Sequence, residues 1–379
     1  MTMPLFLRMT ILAVLALTIP FRAQAMDTNA QQAVMIDYRT GAVLLSKNAD
    51  ELMAPSSMSK LMTIYMLFDA VKRGAVRLDD SFAVSQKAWR MGGSKMFVKV
   101  GDKVRVEDLV RGIIIQSGND ACVVVAEGLA HSEASFADDM TAKGHALGLK
   151  HSNFKNATGW PDPEHLMTAE DLAILARRLI ADFPEYYHYF GETEFTYGGI
   201  TQPNRNLLLE RNLGVDGLKT GHTEAGGFGI VISGTREGKR LILAVNGLSS
   251  MKERIEEAGR LLDWGFREYD NVALFKAGEV VTEAPVWLGD RPQVAMAISQ
   301  RVELTVPKRA RKGMKVAVEM MSPVSAPVAK GAVIGKLVVS GPELQTLEYP
   351  LRATEPVDRL GFFGRLVAAF KYIVWGPNG

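Results

Sequence analysis

Ala54-Pro55-Ser56-Ser57-Met58-Ser59-Lys60 is the stretch on which the reading of this chain turns. Leu61-Met62-Thr63-Ile64-Tyr65-Met66-Leu67-Phe68 follows at once, an apolar run that predicts a helix. Pro55 stands where that helix would begin, and Ser56 or Ser57 is suited to cap its first turn. Residues three apart share a helix face, so the Lys60 side chain can reach the Ser57 hydroxyl at the positive end of the helix dipole. A serine hydroxyl is a weak nucleophile at neutral pH and needs an adjacent base. Lysine serves when burial and neighbouring cations depress its pKa.

Taken alone, Ser57-x-x-Lys60 describes a capping serine and a solvated lysine equally well. Two later stretches change its weight. The mostly apolar run Arg111–Gln116 ends abruptly in Ser117-Gly118-Asn119-Asp120, and a second helix is predicted from Ala121 to Leu129. These are helix-capping residues, but they also offer a hydroxyl at Ser117 for proton relay and an amide at Asn119 for holding a substrate amide. Further on, Val215–Thr223 and Gly226–Ser233 read as strands, Thr235–Gly238 turns the chain, and Leu241–Val245 returns. Lys219-Thr220-Gly221 therefore falls on or beside a strand. Its sheet would include an N-terminal hairpin of Ala33–Ile36 and Ala42–Leu45. Gly221 leaves room for close approach by another backbone or a ligand. Glu170 and Asp171, after Thr168, read as first-turn acids of a capped helix.

The 379 residues suit two domains rather than one, and 47% hydrophobic with 23% charged residues is ordinary for a chain with a substantial core. A formal net charge of +2 gives no case for a nucleic-acid partner. None of the six histidines forms H-E-x-x-H, so no metal is expected, and no cofactor is indicated. Cys122, the single cysteine, lies in an apolar run and reads as a buried thiol. Residues 1–25 carry Arg8, an apolar run from Met9 to Ile19 and Ala23-Gln24-Ala25, the pattern of a cleaved signal peptide. The composition changes after Phe266. Short β runs at Val294–Ile298, Val302–Val306, Val316–Met320, Val333–Val339 and Thr346–Leu351 predict a small all-β domain over 269–355, distinct from a domain over 26–268. Lys308, Arg309, Arg311 and Lys312 read there as a solvated turn.

Residues 356–379 close the chain. Phe362, Phe363, Leu366, Val367, Phe370, Ile373 and Val374 fall on one helical face, with Arg365 and Lys371 outside it and Trp375 near the end. This is a basic amphipathic helix suited to a membrane interface, too interrupted by charge to span a bilayer.

The order Ser57-x-x-Lys60, Ser117-x-Asn119, Lys219-Thr220-Gly221 matches the trio S-x-x-K, S-D-N, K-T-G of class A β-lactamases and penicillin-binding proteins, with Gly118 where that pattern has aspartate. From about Ala33 to Phe266 the chain resembles the low-molecular-mass penicillin-binding proteins, the serine D-alanyl-D-alanine carboxypeptidases. The later β domain and terminal helix resemble theirs more loosely. The resemblance implies a penicillin-recognising, transpeptidase-like fold: an antiparallel sheet with a helical insert in an α/β domain. It implies removal of the terminal D-alanine from peptidoglycan pentapeptide stems, with β-lactams as covalent inhibitors.

It further implies that Ser57 is the acylated nucleophile, Lys60 its base and Ser117 the relay to the leaving amine, with Asn119 lining the cleft. Lys219 and Thr220 would grip the substrate carboxylate beside Gly221. The N–H groups of Ser57 and His222 would form the oxyanion hole, and Arg254 stands where the family often has an arginine near that lysine. The implied location is the periplasmic face of the inner membrane, held there by the terminal helix. A β-lactamase or a DD-endopeptidase of the same fold, and a catalytically silent peptidoglycan-binding module, remain as alternatives.

Overall fold

The computed structural model describes residues 26–320 and 322–375; the expected signal peptide at 1–25 lies outside them. The chain opens with the hairpin β1 (Gln32–Asp37) and β2 (Val43–Lys47). One 3-10 turn, Ser56–Ser59, leads into α1 (Lys60–Lys72). A two-stranded ribbon of β3 (Ser81–Ala83) and β4 (Lys103–Arg105) encloses the short α2 (Gln86–Arg90). Next come α3 (Val106–Ile114), α4 (Asn119–Ala130), α5 (Glu133–Leu147) and α6 (Ala169–Asp182). A second ribbon, β5 (Glu194–Tyr197) and β6 (Ile200–Pro203), precedes β7 (Val215–Thr223), β8 (Gly227–Arg236), β9 (Lys239–Leu248) and α7 (Met251–Glu268).

The expected hairpin and the strand carrying Lys219 do share one sheet. It is antiparallel, in the order β2-β1-β9-β8-β7. Both of its faces are covered, which is why its strands read as unbroken apolar runs. Val34, Ile36, Ile242 and Ala244 face a core shared with α1, α3, α4 and α6. Ala33, Met35, Leu241, Leu243 and Val245 face the other way, onto Ile255, Ala258, Leu261, Leu262 and Phe266 of α7. Thr168 caps α6 by accepting from Asp171 N at 3.0 Å, as the sequence reading has it.

One local expectation is corrected. The helix after Pro55 has no side-chain cap. Ser56 sits at φ +52°, and its hydroxyl meets Thr223 Oγ1 at 3.0 Å instead of an N–H of the turn. The span from Asp69 to Ile180 is mostly helical, carrying α2 to α6. The β3–β4 ribbon interrupts it, and strands of three residues are too short to show a period.

The C-terminal part contains the five anticipated β runs together with three that its sequence did not reveal. It comprises β10 (Tyr269–Phe275), β11 (Val280–Trp287), β12 (Gln293–Ile298), β13 (Val302–Pro307), β14 (Lys315–Met320), β15 (Val324–Ser325), β16 (Val333–Gly341) and β17 (Leu344–Ala353). They enclose an apolar core of their own, centred on Val294, Met296, Leu337, Val339 and Leu351. The basic cluster there is exposed in a turn, as expected, and three of its four side chains also find partners, Arg309 pairing with Glu343 at 2.8 Å. Lys308 donates to the Phe266 carbonyl at 3.3 Å and Arg311 pairs with Asp270 at 3.2 Å, at the negative end of the α7 dipole.

The tail begins later than 356. Val357 is fully buried in the β core, bridges to Val328, and is followed by Asp358 and Leu360 bonded back to Asp290 and Leu288. The final helix, α8, is Phe362–Trp375. Its Phe362, Phe363, Leu366, Val367, Phe370 and Val374 are all more than half exposed, while the side chains of Lys371, Ile373 and Trp375 lie outside the described ones. Among the described residues no helix is long and apolar enough to cross a membrane. Val357→Ala is expected to destabilise the β part by about 2 kcal/mol, the loss for a buried aliphatic truncation, measured by urea unfolding. Val374→Ala, on the exposed helix, should leave the curve unchanged.

Candidate active site

Three glycines decide how close the nucleophile's turn lies to the sheet. A Cβ on Gly221 would stand 3.0 Å from the Pro55 carbonyl, one on Gly226 2.9 Å from the Ala54 carbonyl, and one on Gly229 2.5 Å from Met58 Cε. The stretch 54–58 therefore seats directly against the β7–β8 hairpin. Ser57 stays partly exposed while Met58, Ser59 and Lys60 are buried.

Lys60 Nζ donates to Ser57 Oγ at 2.7 Å and to the Thr158 carbonyl at 2.5 Å. Lys60 is fully buried and makes no ion pair among the described residues. Burial drives its ammonium down to about 8; Arg205 pushes the same way, while Cys122 and Asp120 act against it. In its neutral form the amine can take the Ser57 proton through the contact already made.

Lys219 forms the second half of the site. Its Nζ donates to Ser117 Oγ and to the Thr220 carbonyl, both at 3.0 Å. It too is buried, and desolvation, then the charges of Lys60 and Arg205, hold its pKa well below the ordinary lysine value. Its strand is fixed upstream by Asp216, which receives Arg240 through two bonds of 2.7 and 2.6 Å and the Tyr187 hydroxyl at 2.8 Å.

Ser117 is held at φ +59°, a sparsely populated region for a residue with a side chain. Asn119 donates from its amide to the Gly92 carbonyl at 2.8 Å, and its backbone N–H to the Ser94 carbonyl at 2.7 Å. Glycine at 118 has a local reason. A Cβ there would lie 2.9 Å from Asp120 Oδ1 and 3.1 Å from Met96 N. The carboxylate that fills this space is Asp120, which accepts from Met96, Phe97 and Val98 N–H groups at 2.9, 2.9 and 3.2 Å and so fastens the loop beneath Asn119.

The structure thus brings Ser57, Lys60, Ser117, Asn119, Lys219, Thr220 and Gly221 to one cleft. His222 is exposed on the same strand, its ring stacked on Phe228 at 3.9 Å. Arg254 is buried behind the strand and donates to the Gly221 carbonyl at 3.4 Å. Burial lowers its pKa to about 10. Cys122 is fully buried beside the site, and burial pushes its thiol up to about 12, in keeping with an inert core residue.

Sequence reasoning missed Thr158, whose contribution is a backbone carbonyl, and Arg205, whose charge depresses Lys60, Lys219 and Arg254 together. Neither stands in a motif or at a periodic position.

Comparison with known proteins agrees with this geometry. Residues 19–250 match the family model of the D-alanyl-D-alanine carboxypeptidases, peptidase family S11. The chain belongs to that family. Residues 269–359 match the C-terminal domain of penicillin-binding protein 5. The D-alanyl-D-alanine carboxypeptidase DacC of Escherichia coli (strain K12) is 38% identical over 353 residues, covering 90% of this chain and 88% of that one. The solved penicillin-binding protein 5 of Haemophilus influenzae superposes with a TM-score of 0.81 at 35% identity, over 89% of this chain and all of that one. Penicillin-binding protein D2 of Listeria monocytogenes, solved in its ampicillin-bound form, gives a TM-score of 0.59 at 26% identity, over 64% of this chain and all of that one.

The depressed Lys60 pKa sets a pH dependence. The amine must be neutral to accept the Ser57 proton, so acylation by a penicillin should rise with pH along a limb centred near 8, falling about tenfold per unit well below it. Arg205→Ala removes a charge that lowers Lys60, so the limb should move to higher pH. Stopped-flow acylation across pH checks both.

Proposed function

We propose that the protein is an exported serine DD-carboxypeptidase that removes the terminal D-alanine from peptidoglycan pentapeptide stems. The observation that carries this reading is the 2.7 Å contact to Ser57 from a buried Lys60 that has no ion pair among the described residues, near a second lysine–serine pair at Lys219 and Ser117. Ser57 Oγ attacks the carbonyl between the two D-alanines as Lys60 takes its proton. The N–H groups of Ser57 and His222 hold the oxyanion, each donor lowering the barrier by about 3–4 kcal/mol. Ser117 passes a proton to the departing D-alanine amine. Asn119 holds the acyl-side amide, and Lys219, Thr220 and, from behind, Arg254 favour the free carboxylate. Water then releases the acyl-enzyme. A β-lactam follows the same first step and stalls the second.

The named relative aligned over nine-tenths of the chain is a carboxypeptidase, which supports this reading over the endopeptidase and β-lactamase alternatives. Residues 26–268 form the catalytic part and the β part serves as a spacer, its end set at Leu360 by the contacts of Val357 to Leu360. Residues 1–25 direct export and are removed. Helix α8 lies in the periplasmic face of the inner membrane. Its 14 residues reach about 21 Å, short of a bilayer core, and its exposed phenylalanines supply the buried area.

Ser57→Ala should abolish both covalent labelling by a fluorescent penicillin and D-alanine release from a pentapeptide, measured by gel fluorescence and by chromatography of the products. Labelling retained at another serine would contradict the assignment. Lys60→Ala should block labelling near neutral pH.

For the tail, a chain ending at Leu360 should keep peptide hydrolysis and lose flotation with anionic vesicles. Phe363→Glu should weaken flotation in the same direction. Flotation undiminished by the truncation would place the membrane contact elsewhere.

A further inference from the structure

One half-exposed aromatic at the mouth of the cleft has no part in the mechanism above. Trp160 is 48% exposed, yet its backbone is immobilised. Asn156 Oδ1 accepts from the N–H groups of Thr158, Gly159 and Trp160 at 3.1, 2.8 and 3.0 Å, and Asn156 Nδ2 donates to the Trp160 carbonyl at 3.0 Å. The preceding Gly159 lies so close to the nucleophile's turn that a Cβ on it would fall 1.9 Å from the Ser56 carbonyl. The indole in turn covers the glycine-broken loop of α2. A Cβ on Gly93 would stand 3.1 Å from Trp160 Cζ3 and 2.9 Å from Asn119 Nδ2, and one on Gly92 would stand 3.5 Å from Trp160 Cη2. Trp160 thus runs from the turn of Ser57 to the loop that carries the acceptor of Asn119, on the Asn119 side of the cleft.

We propose that Trp160 is a specificity-determining wall, its indole taking the apolar part of the substituent on the acyl side of the bond that Ser57 attacks. The inference rests on the acyl-enzyme reading and extends it to the substrate residue preceding the D-alanine pair. With Lys219 on the leaving-group side and Asn119 on the acyl side, a ring one glycine away from Asn119 faces what the acyl group carries. A held, half-exposed tryptophan offers a broad apolar face at little entropic cost. The ligand class is an extended aliphatic or aromatic side chain. A stem residue with a long methylene chain fits, and so does the aryl substituent of a penicillin.

The test uses the purified protein with Trp160→Ala and Trp160→Phe. Acylation efficiency is measured with a penicillin bearing a phenylacetyl side chain and with the bare penicillin nucleus. D-alanine release is measured from peptides with lysine or glycine before D-Ala-D-Ala. In Trp160→Ala the ratio of substituted to bare efficiency should fall about tenfold, and in Trp160→Phe it should recover to within about threefold of wild type. An unchanged ratio overturns the proposal. If both efficiencies fall together, Trp160 only supports its loop; if neither falls, the indole does not meet the ligand. Failure of the wild-type protein to be acylated by either penicillin would overturn the parent reading and this inference with it, a result distinct from an unchanged ratio.

Discussion

Two lysine side chains are buried in one cleft, and neither is paired with a carboxylate among the described residues. Taking an ammonium out of water is costly, and placing a second beside it adds repulsion. The molecule meets this by loosening the protons rather than by supplying counter-charges. Lys60 falls to about 8, and Lys219 is lowered as well. Each amine is given hydroxyl and carbonyl contacts that a neutral or charged nitrogen can satisfy, from Ser57 and Thr158 in one case and Ser117 and Thr220 in the other. The chemistry of the site follows from that arrangement, because a lysine that sheds its proton near neutral pH is a base and an ordinary surface lysine is not.

Much of the surrounding fold keeps the two pairs near enough for the charge of Lys60 to act on Lys219. Lys60 comes from the start of α1 and Lys219 from the edge strand β7, elements more than 140 positions apart in the chain. They meet because Gly221, Gly226 and Gly229 open a slot for residues 54–58. Asp216 with Arg240 and Tyr187 pins the strand on one side, and Asp120 pins the 96–98 loop on the other. Carboxylates are therefore present near the cleft, but they hold backbone and arginine groups and leave the lysines unpaired.

What the sequence made legible follows the same division. Ser57, Lys60, Ser117, Asn119 and Lys219 stand in short motifs whose spacing carries chemical meaning, and the structure brings all five together. The apolar runs of β1 and β9 announced strands of one sheet, while the cover on both its faces is seen only in the fold. The carbonyl of Thr158 could not be read, since any residue supplies a carbonyl and only tertiary placement selects one. Arg205 sits in a polar loop without period, so its field on three buried cations exists only in the fold. The three-residue strands β3 and β4 were too short to show alternation. Val357 looked like the start of the tail because the apolar face that follows is continuous with it in sequence. Its burial depends on pairing with Val328, which no local pattern records.

The charge balance of the cleft also bears on what it can hold. Arg205 lowers the pKa of Lys60, Lys219 and Arg254, and Lys219 is lowered further by Lys60 and Arg254. Burial places Cys122 at about 12 and His165 at about 4, so neither supplies a negative charge or a second proton acceptor of suitable strength near neutral pH. In the reading proposed above, the missing anion arrives with the substrate. A carboxylate at Lys219 opposes the desolvation that lowers its pKa, so binding and protonation of that lysine favour each other. An amidated or esterified chain end cannot make this contribution. In that reading the site selects a free carboxylate through its own unbalanced charge as well as through hydrogen-bond geometry, and the selectivity is built from Lys60 on α1, Lys219 on β7, Arg254 on α7 and Arg205 in a loop.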